Sequence, residues 1–263
     1  MDVRAYLDRI DFQDPVIVDR NVLYKLQKKH LLNVPFENLD IHYGKKISLS
    51  IMDIYQKVVI EKRGGFCYEL NGLFHQLLRQ IGFNAKIISA RVHTKNGKYS
   101  PEYDHLAIIV NLENQDFLVD VGFGKFTLEP LRLVTDQKIK DSFGQFQFEK
   151  HNTDYYQINE IKNQESIPQY IFSLKERELS EFEERSIFHQ TSEFSHFTKK
   201  KLISIASLDE RITLTNSQLK TSRMDIEEEI NFEQDQFEVK LKQYFDIEIG
   251  KSSCPNVQIE RFG

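Results

Sequence analysis

The chain has 263 residues, 40% hydrophobic and 12% aromatic, with twenty Phe, no Trp, and 35 basic against 40 acidic residues for a net charge of −5. That length allows one large domain, or two to three smaller ones, around a sizeable core. The charges are dispersed, which excludes the basic footprint of a nucleic-acid binder, and no uncharged apolar run approaches the roughly 18 residues of a membrane span.

The opening MDVRAYLDRIDF is charged every few residues and lacks the apolar core of a secretory signal. With only two cysteines, Cys67 and Cys254, a reduced, cytoplasmic protein is expected. Val3, Leu7 and Ile10 fall on one helical face behind an Asp2 cap, and Val22, Leu23 and Leu26 do the same after Asp19. Ser50 and Asp53 have capping-box spacing ahead of Ile54, Tyr55, Val58 and Val59. The fourth expected helix, Phe66 to Ile81, is apolar along Leu70, Leu73, Phe74, Leu77 and Leu78 and is closed by Gly82.

From Ala85 the period changes to short runs rich in β-branched residues: AKIISARVH, HLAIIVNL, FLVDVGF, FGQFQFEK, YYQINEI and QYIFSL. They predict a mostly antiparallel sheet or barrel. Residues 178–190 return to a helical pattern, KLISIASLDERITLT reads as a hairpin turning at Leu208, Asp209 and Glu210, and a charged helix is expected over 231–244. Soft boundaries fall near residues 84 and 190, giving segments 1–84, 85–190 and 191–263.

The chemistry centres on RGGFCYELNGLF, residues 63–74. Cys67 stands at the first turn of a buried helix behind Gly64 and Gly65, where unsatisfied N–H groups and the helix dipole favour a thiolate. A free cysteine is also a common packing residue, so position alone leaves both readings open. A nucleophile needs a base. His75 is two turns away on the same helix, roughly 12 Å of rise; His30 reads as a cap or surface residue, and His42, His93, His151, His189 and His196 as loop or solvated residues. His105 opens the apolar strand HLAIIVNL, while Asp120 interrupts the next one, where a carboxylate needs a partner. A turn at 113–115 pairs residues whose numbers sum to about 228 and places Asp120 opposite residue 108. The glycines after Asp120 match neither a phosphate-binding loop nor a dinucleotide fingerprint, and without CxxC, HExxH or clustered ligands no metal site is expected.

Five segments, YLDRI (6–10), VPFENLDIH (34–42), KRGGFCYELNGLF (62–74), DHLAIIV (104–110) and VDVGFG (119–124), resemble the arylamine N-acetyltransferases of the bacterial type. SEFSHFT and RITLTN match more loosely, with Glu210 where the family often has glycine. The resemblance implies an α+β fold: an N-terminal helical bundle, a central antiparallel β-barrel and a C-terminal α/β lid. It further implies a Cys67, His105, Asp120 triad like that of cysteine proteases, with acetyl transfer from acetyl-coenzyme A to arylamines, arylhydrazines or arylhydroxylamines through an acetyl-cysteine. Phe36 and Phe123 would line the amine pocket, and Val121, Gly122, Gly124, Lys125 and Thr215 would meet coenzyme A. Arg9, Glu37 and Arg63 would support the site. The competing readings are a thiol hydrolase or transglutaminase-like enzyme, a relative that uses malonyl-coenzyme A or closes an amide, and a binding module without activity.

Overall fold

A computed structural model describes residues 1–141, 143–223 and 226–249. Helix α1 (Val3–Arg9) is capped by Asp2, which accepts the Ala5 N–H, and α2 (Arg20–Asn33) by Asp19, which accepts the Val22 N–H at 2.7 Å. Strand β1 (Phe36–Glu37) and helix α3 (Leu39–His42) follow, then α4 (Ile51–Tyr55), which runs into a π-helical turn (Gln56–Ile60). The capping box expected at Ser50 does not form, because its side chain makes no cap bond. Helix α5 (Cys67–Ile81) is the buried member of the group, its leucines packed with Tyr6, Leu23, Leu26 and Val58, and it ends where Gly82 adopts φ 111°.

Eight antiparallel strands come next: β2 (Asn84–Val92), β3 (His105–Leu112), β4 (Gln115–Val119), β5 (Leu131–Arg132), β6 (Lys138–Asp141), β7 (Gly144–Lys150), β8 (Tyr156–Lys162) and β9 (Glu165–Phe172). Bonded in the order β5-β4-β3-β2-β9-β8-β7-β6, they curl into a near-closed barrel around Ile88, Ala107, Ile109, Phe146, Phe148, Tyr170 and Phe172. The other face of β3 and β4, with Ile108, Val110, Phe117 and Val119, joins the helical core. Burial on both faces accounts for the unbroken apolar run of β3.

The β3–β4 hairpin departs from the expected register. Its turn has two residues, Glu113 and Asn114, at φ 53° and 59°. Ile108 pairs with Val119 and Leu112 with Gln115, so paired numbers sum to 227. A one-residue shift exchanges the faces of a strand. The observed register carries Asp120, just past the end of β4, onto the face of Ala107 and His105; the expected one would have turned it toward the helical core.

A 3-10 turn (Leu179–Phe182), α6 (Glu183–Thr191) and a second 3-10 turn (His196–Thr198) lead to a five-stranded antiparallel sheet. Its strands are β10 (Leu202–Ala206), β11 (Arg211–Thr215), β12 (Gln218–Arg223) and β13 (Ile226–Asn231), with β1 from the helical region bonded along β10. The predicted hairpin pairs Ala206 with Arg211. The predicted helix over 231–244 starts later, as α7 (Phe237–Phe245), because IEEEIN forms a strand against the polar QLKTSR. Helix α7 covers one face of the sheet through Phe237 and Leu241 on Ile203, Leu214 and Leu219. The opposite face aligns Phe36, Ser204, Thr213 and Lys220 in one row and Arg211, Ser222 and Glu227 in the next. Cys254 lies outside the described residues. Among those described, no helix is long and apolar enough to cross a membrane.

Candidate active site

Cys67 begins α5, and the chain reaching it is held by close backbone approach. A Cβ on Gly64 would lie 2.0 Å from the Pro35 carbonyl oxygen, and one on Gly65 2.8 Å from the Cβ of Glu69. Neither glycine has positive φ, so tight packing requires them rather than a left-handed turn. Glu69 reaches back to accept the Phe66 N–H at 3.0 Å, satisfying one of the free amides at the helix start.

A buried ion network surrounds this entry. Arg63 donates to both oxygens of Glu37, at 2.7 and 2.9 Å, and to Asp40 at 2.9 Å. Lys57 joins Asp40 at 2.8 Å to Glu69 at 2.9 Å. Burial alone would raise the pKa values of Glu37 and Asp40, but Lys57 and Arg63 outweigh it and hold both below the usual carboxylate range. For Glu69 burial wins and its pKa is raised. Arg9 donates to the carbonyls of Val58 and Asn33, at 2.9 and 2.6 Å, and to those of Lys62 and Arg63, both at 3.3 Å, tying the π-helical turn and the entry segment to α2.

On the barrel side, His105 Nε2 lies 2.7 Å from Asp120 Oδ2, with both side chains buried. The same oxygen accepts the Tyr170 hydroxyl at 3.0 Å, while Oδ1 accepts the Gly122 N–H and the Asn71 amide, both at 2.9 Å. Asn71, one turn beyond Cys67 on α5, also donates to the Leu106 carbonyl at 2.6 Å and accepts the Val121 N–H at 2.8 Å. Gln27 on α2 accepts the Asp120 N–H at 3.2 Å. Tyr68 fixes the approach to β3 by donating to the carbonyls of Tyr103 and Asp104. Gly122 completes the join, since a Cβ there would stand 2.8 Å from the Cys67 Cα and from Asn71 Nδ2. Asn71, Tyr170, Gln27 and Gly122's close approach bind the three predicted residues into one unit. The polar Asn71 and the hydroxyl of Tyr170 inside apolar runs were the available signals.

Burial pushes the Cys67 thiol pKa up, the carboxylates of Asp104 and Asp120 add to the rise, and the amides of Leu106 and Tyr68 offset only part of it. The first-turn amide of Tyr68 acts in the expected direction, toward thiolate, but desolvation exceeds its help.

Cys67 and His105 open into one cavity of about 510 Å³. Phe36, Gly122, Phe123, Gly124 and Lys125 line it, and so do Phe197, Ser204, Arg211 and Thr213. Phe123 packs on the His105 ring at 4.9 Å between centroids. Two expected contacts do not reach the cavity. Val121 turns into the helical core, and Thr215 lies two residues beyond Thr213, with its hydroxyl directed to the Gln218 carbonyl. Two histidines read as peripheral are buried. His189 lines the cavity and contacts Asp104 at 3.1 Å, and His30 packs between Tyr6 and Phe74, its pKa lowered by burial to about 3. His196 also lines the cavity.

A family model described as N-acetyltransferase matches residues 19–254. The arylamine N-acetyltransferase of Escherichia coli (strain K12) is 33% identical over 215 residues, covering 80% of this chain and 75% of its own. The chain belongs to the arylamine N-acetyltransferase family. The solved structures agree with that membership. An arylamine N-acetyltransferase from Mycobacterium smegmatis superposes with a TM-score of 0.89 at 27% identity, covering 98% of this chain and 97% of its own. The Mycobacterium marinum arylamine N-acetyltransferase in complex with CoA gives a TM-score of 0.86 at 28% identity, covering 94% and 93%. The chain is thus an enzyme of acyl-transfer type, and arylamine N-acetyltransferases with this architecture include one solved with CoA.

Proposed function

We propose that Cys67, His105 and Asp120 form a catalytic triad that moves an acetyl group from acetyl-coenzyme A to the nitrogen of an arylamine, arylhydrazine or arylhydroxylamine by way of an acetyl-cysteine. The observation that carries this reading is the buried 2.7 Å contact between His105 Nε2 and Asp120 Oδ2, on an imidazole that shares its cavity with Cys67. With the Asp120 carboxylate accepting from Nε2–H, the Nδ1 atom of the ring is left to take a proton from the thiol. Proton transfer supplies the positive charge that the buried sulfur otherwise lacks.

The thiolate then attacks the thioester carbonyl, the carbon–sulfur bond to coenzyme A breaks, and the departing thiolate recovers the proton from imidazolium. Amides at the start of α5 suit the developing oxyanion. The amine attacks the acetyl carbon in the second half, its proton passes to His105, and the Cys67 thiol is regenerated. Aromatic amines suit this step because they are neutral and nucleophilic near pH 7, and Phe36, Phe123 and Phe197 offer ring contacts. A cleft of about 840 Å³ adjoins the cavity and shares Lys125 and Arg211 with it; Lys140, Lys162 and Arg223 there fit the phosphates of the donor.

Intact-mass measurement tests the reading. Mixing with acetyl-coenzyme A should add one acetyl group, localised to Cys67, and an aniline should then remove it. A chain that stays unmodified while hydrolysing amides or thioesters would replace transfer with thiol hydrolysis.

A further inference from the structure

The residue before His105 is a carboxylate that also meets an imidazole. Asp104 Oδ1 lies 3.1 Å from His189 Nε2 and accepts Arg185 Nε–H at 2.7 Å. Burial would raise the Asp104 pKa, but His189, followed by Ser100 and Arg185, brings it down to about 2. Asp104 lines the cavity with Cys67, and its charge is the largest that opposes a thiolate there, ahead of that of Asp120. Its two basic partners are not equivalent. Arg185 lays its guanidinium over the Phe188 ring at 3.9 Å, away from the cavity lining, whereas His189, 6% exposed, borders the same space as the sulfur.

Hydrogen bonding sets where the protons of that ring lie. His189 Nδ1 is 3.2 Å from the Ser195 hydroxyl, whose own hydrogen goes to the His189 carbonyl at 3.2 Å, in the last turn of α6 where carbonyls lack helical partners. The Asp104 carboxylate can only accept. Both ring nitrogens are therefore placed as donors, which is the imidazolium form, and the end of a helix favours that charge. The charged and titratable groups packed around the ring are Asp104 ahead of β3, Arg185 on α6 itself and Tyr68 on α5, with Cys67, His105 and His196 in the shared cavity. Phe188 and Phe197 pack edge-on against it. We propose that His189 is a positioning residue for the nucleophile: held as a cation between Asp104 and Ser195, it offsets the Asp104 carboxylate on the cavity side and leaves Cys67 freer to ionise. This rests on the reading of Cys67 as the acetyl-accepting thiol and names a second imidazole that serves it. His189 takes no proton from the thiol, since both of its nitrogens are already engaged. His105 keeps that task.

The pH dependence of Cys67 alkylation by iodoacetamide, followed on the Cys67 peptide by mass spectrometry, reads this role without requiring acetyl transfer. His189→Gln keeps a donor for Asp104 but carries no charge. It should move the alkylation profile to higher pH and slow the reaction at pH 7 by about three- to tenfold. The same substitution on an Asp104→Asn background should change the rate by less than about twofold, because the charge to be offset is gone. An unmoved profile in the first background, or equal slowing in both, would overturn the proposal. Nitrogen NMR of the histidine rings in the wild-type chain needs no variant to fold: His189 should show two protonated nitrogens near pH 7, and a ring with one bare nitrogen would also overturn it. If acetyl transfer fails while the alkylation profile moves as expected, the function reading falls and the role of His189 toward the thiol stands.

Discussion

On one side of Cys67, five ionisable side chains, Glu37, Asp40, Lys57, Arg63 and Glu69, hold the chain that enters α5; on the other, the single carboxylate of Asp120 gathers Asn71, Gly122, Tyr170 and His105. The first arrangement spends formal charge on a scaffold outside the cavity. The second places one charge against the proposed base. The thiol feels the difference, since the charges acting on it most are those of Asp104 and Asp120 rather than the cations of the entry network. Stability and reactivity are thus supported by separate polar systems that meet at one helix turn.

Substitutions that spare one system and damage the other test this division. Asp120→Asn should lower acetyl transfer by about 10³- to 10⁴-fold, as loss of the triad carboxylate does elsewhere, while thermal unfolding shows most of the fold retained. A variant that unfolds in proportion to its lost activity would make Asp120 a structural residue. Arg63→Ala strands two buried carboxylates and should cost about 3–5 kcal/mol of stability, read from denaturant midpoints; activity per folded molecule should fall far less.

Acid titration probes the same network more gently. The folded pKa values of Glu37 and Asp40 lie below their ordinary 4.5 and 3.8. Their contribution is therefore complete above those values and is lost as the pH falls through the lower folded ones. Glu69, with a raised pKa, acts in the opposite sense, and its contribution fades as the pH rises. A stability–pH curve for Glu69→Gln should accordingly lose the gain in stability that the wild-type chain shows as the pH falls from the raised folded value of Glu69 to its ordinary 4.5; an unchanged curve would remove Glu69 from the titrating set. The smallest effect belongs to Tyr170→Phe. Losing one of four partners on Asp120 should cost about 1 kcal/mol and shift the pH–rate profile, which simple loss of packing would not do.

Most of the α+β plan is readable from periodicity, because α5 and β3 have long, one-sided or two-sided apolar patterns. The hairpin after β3 is harder. Glu113 and Asn114 take positive φ without the glycine that advertises such turns, so the register is off by one and Asp120 changes face. Cys67, His105 and Asp120 stand out as polar residues beside apolar runs. His189 does not, since FHQTSEF looks solvated and its burial depends on Asp104, Phe197 and Tyr68, distant in sequence. The strands β12 and β13 carry mostly polar residues because one face borders the cavity and β13 is exposed along its length, leaving Leu219 under α7 as the one buried side chain of the pair, which hides them from any hydrophobic pattern. Arg211 could have been noticed through the alternation of RITLT, which sets Arg211 and Thr213 on one face, but nothing local says that the face is enclosed.

The two-residue strand β1 has a consequence for how such a molecule can change. Phe36 looks into the cavity beside Ser204, while its neighbour Glu37 turns the other way to grip Arg63. Adjacent positions of one dipeptide therefore answer to different demands. Exchange at residue 36 alters the shape of the cavity, whereas exchange at residue 37 releases a buried guanidinium. The cavity wall is set here a single step along the backbone from a carboxylate that a buried cation depends on.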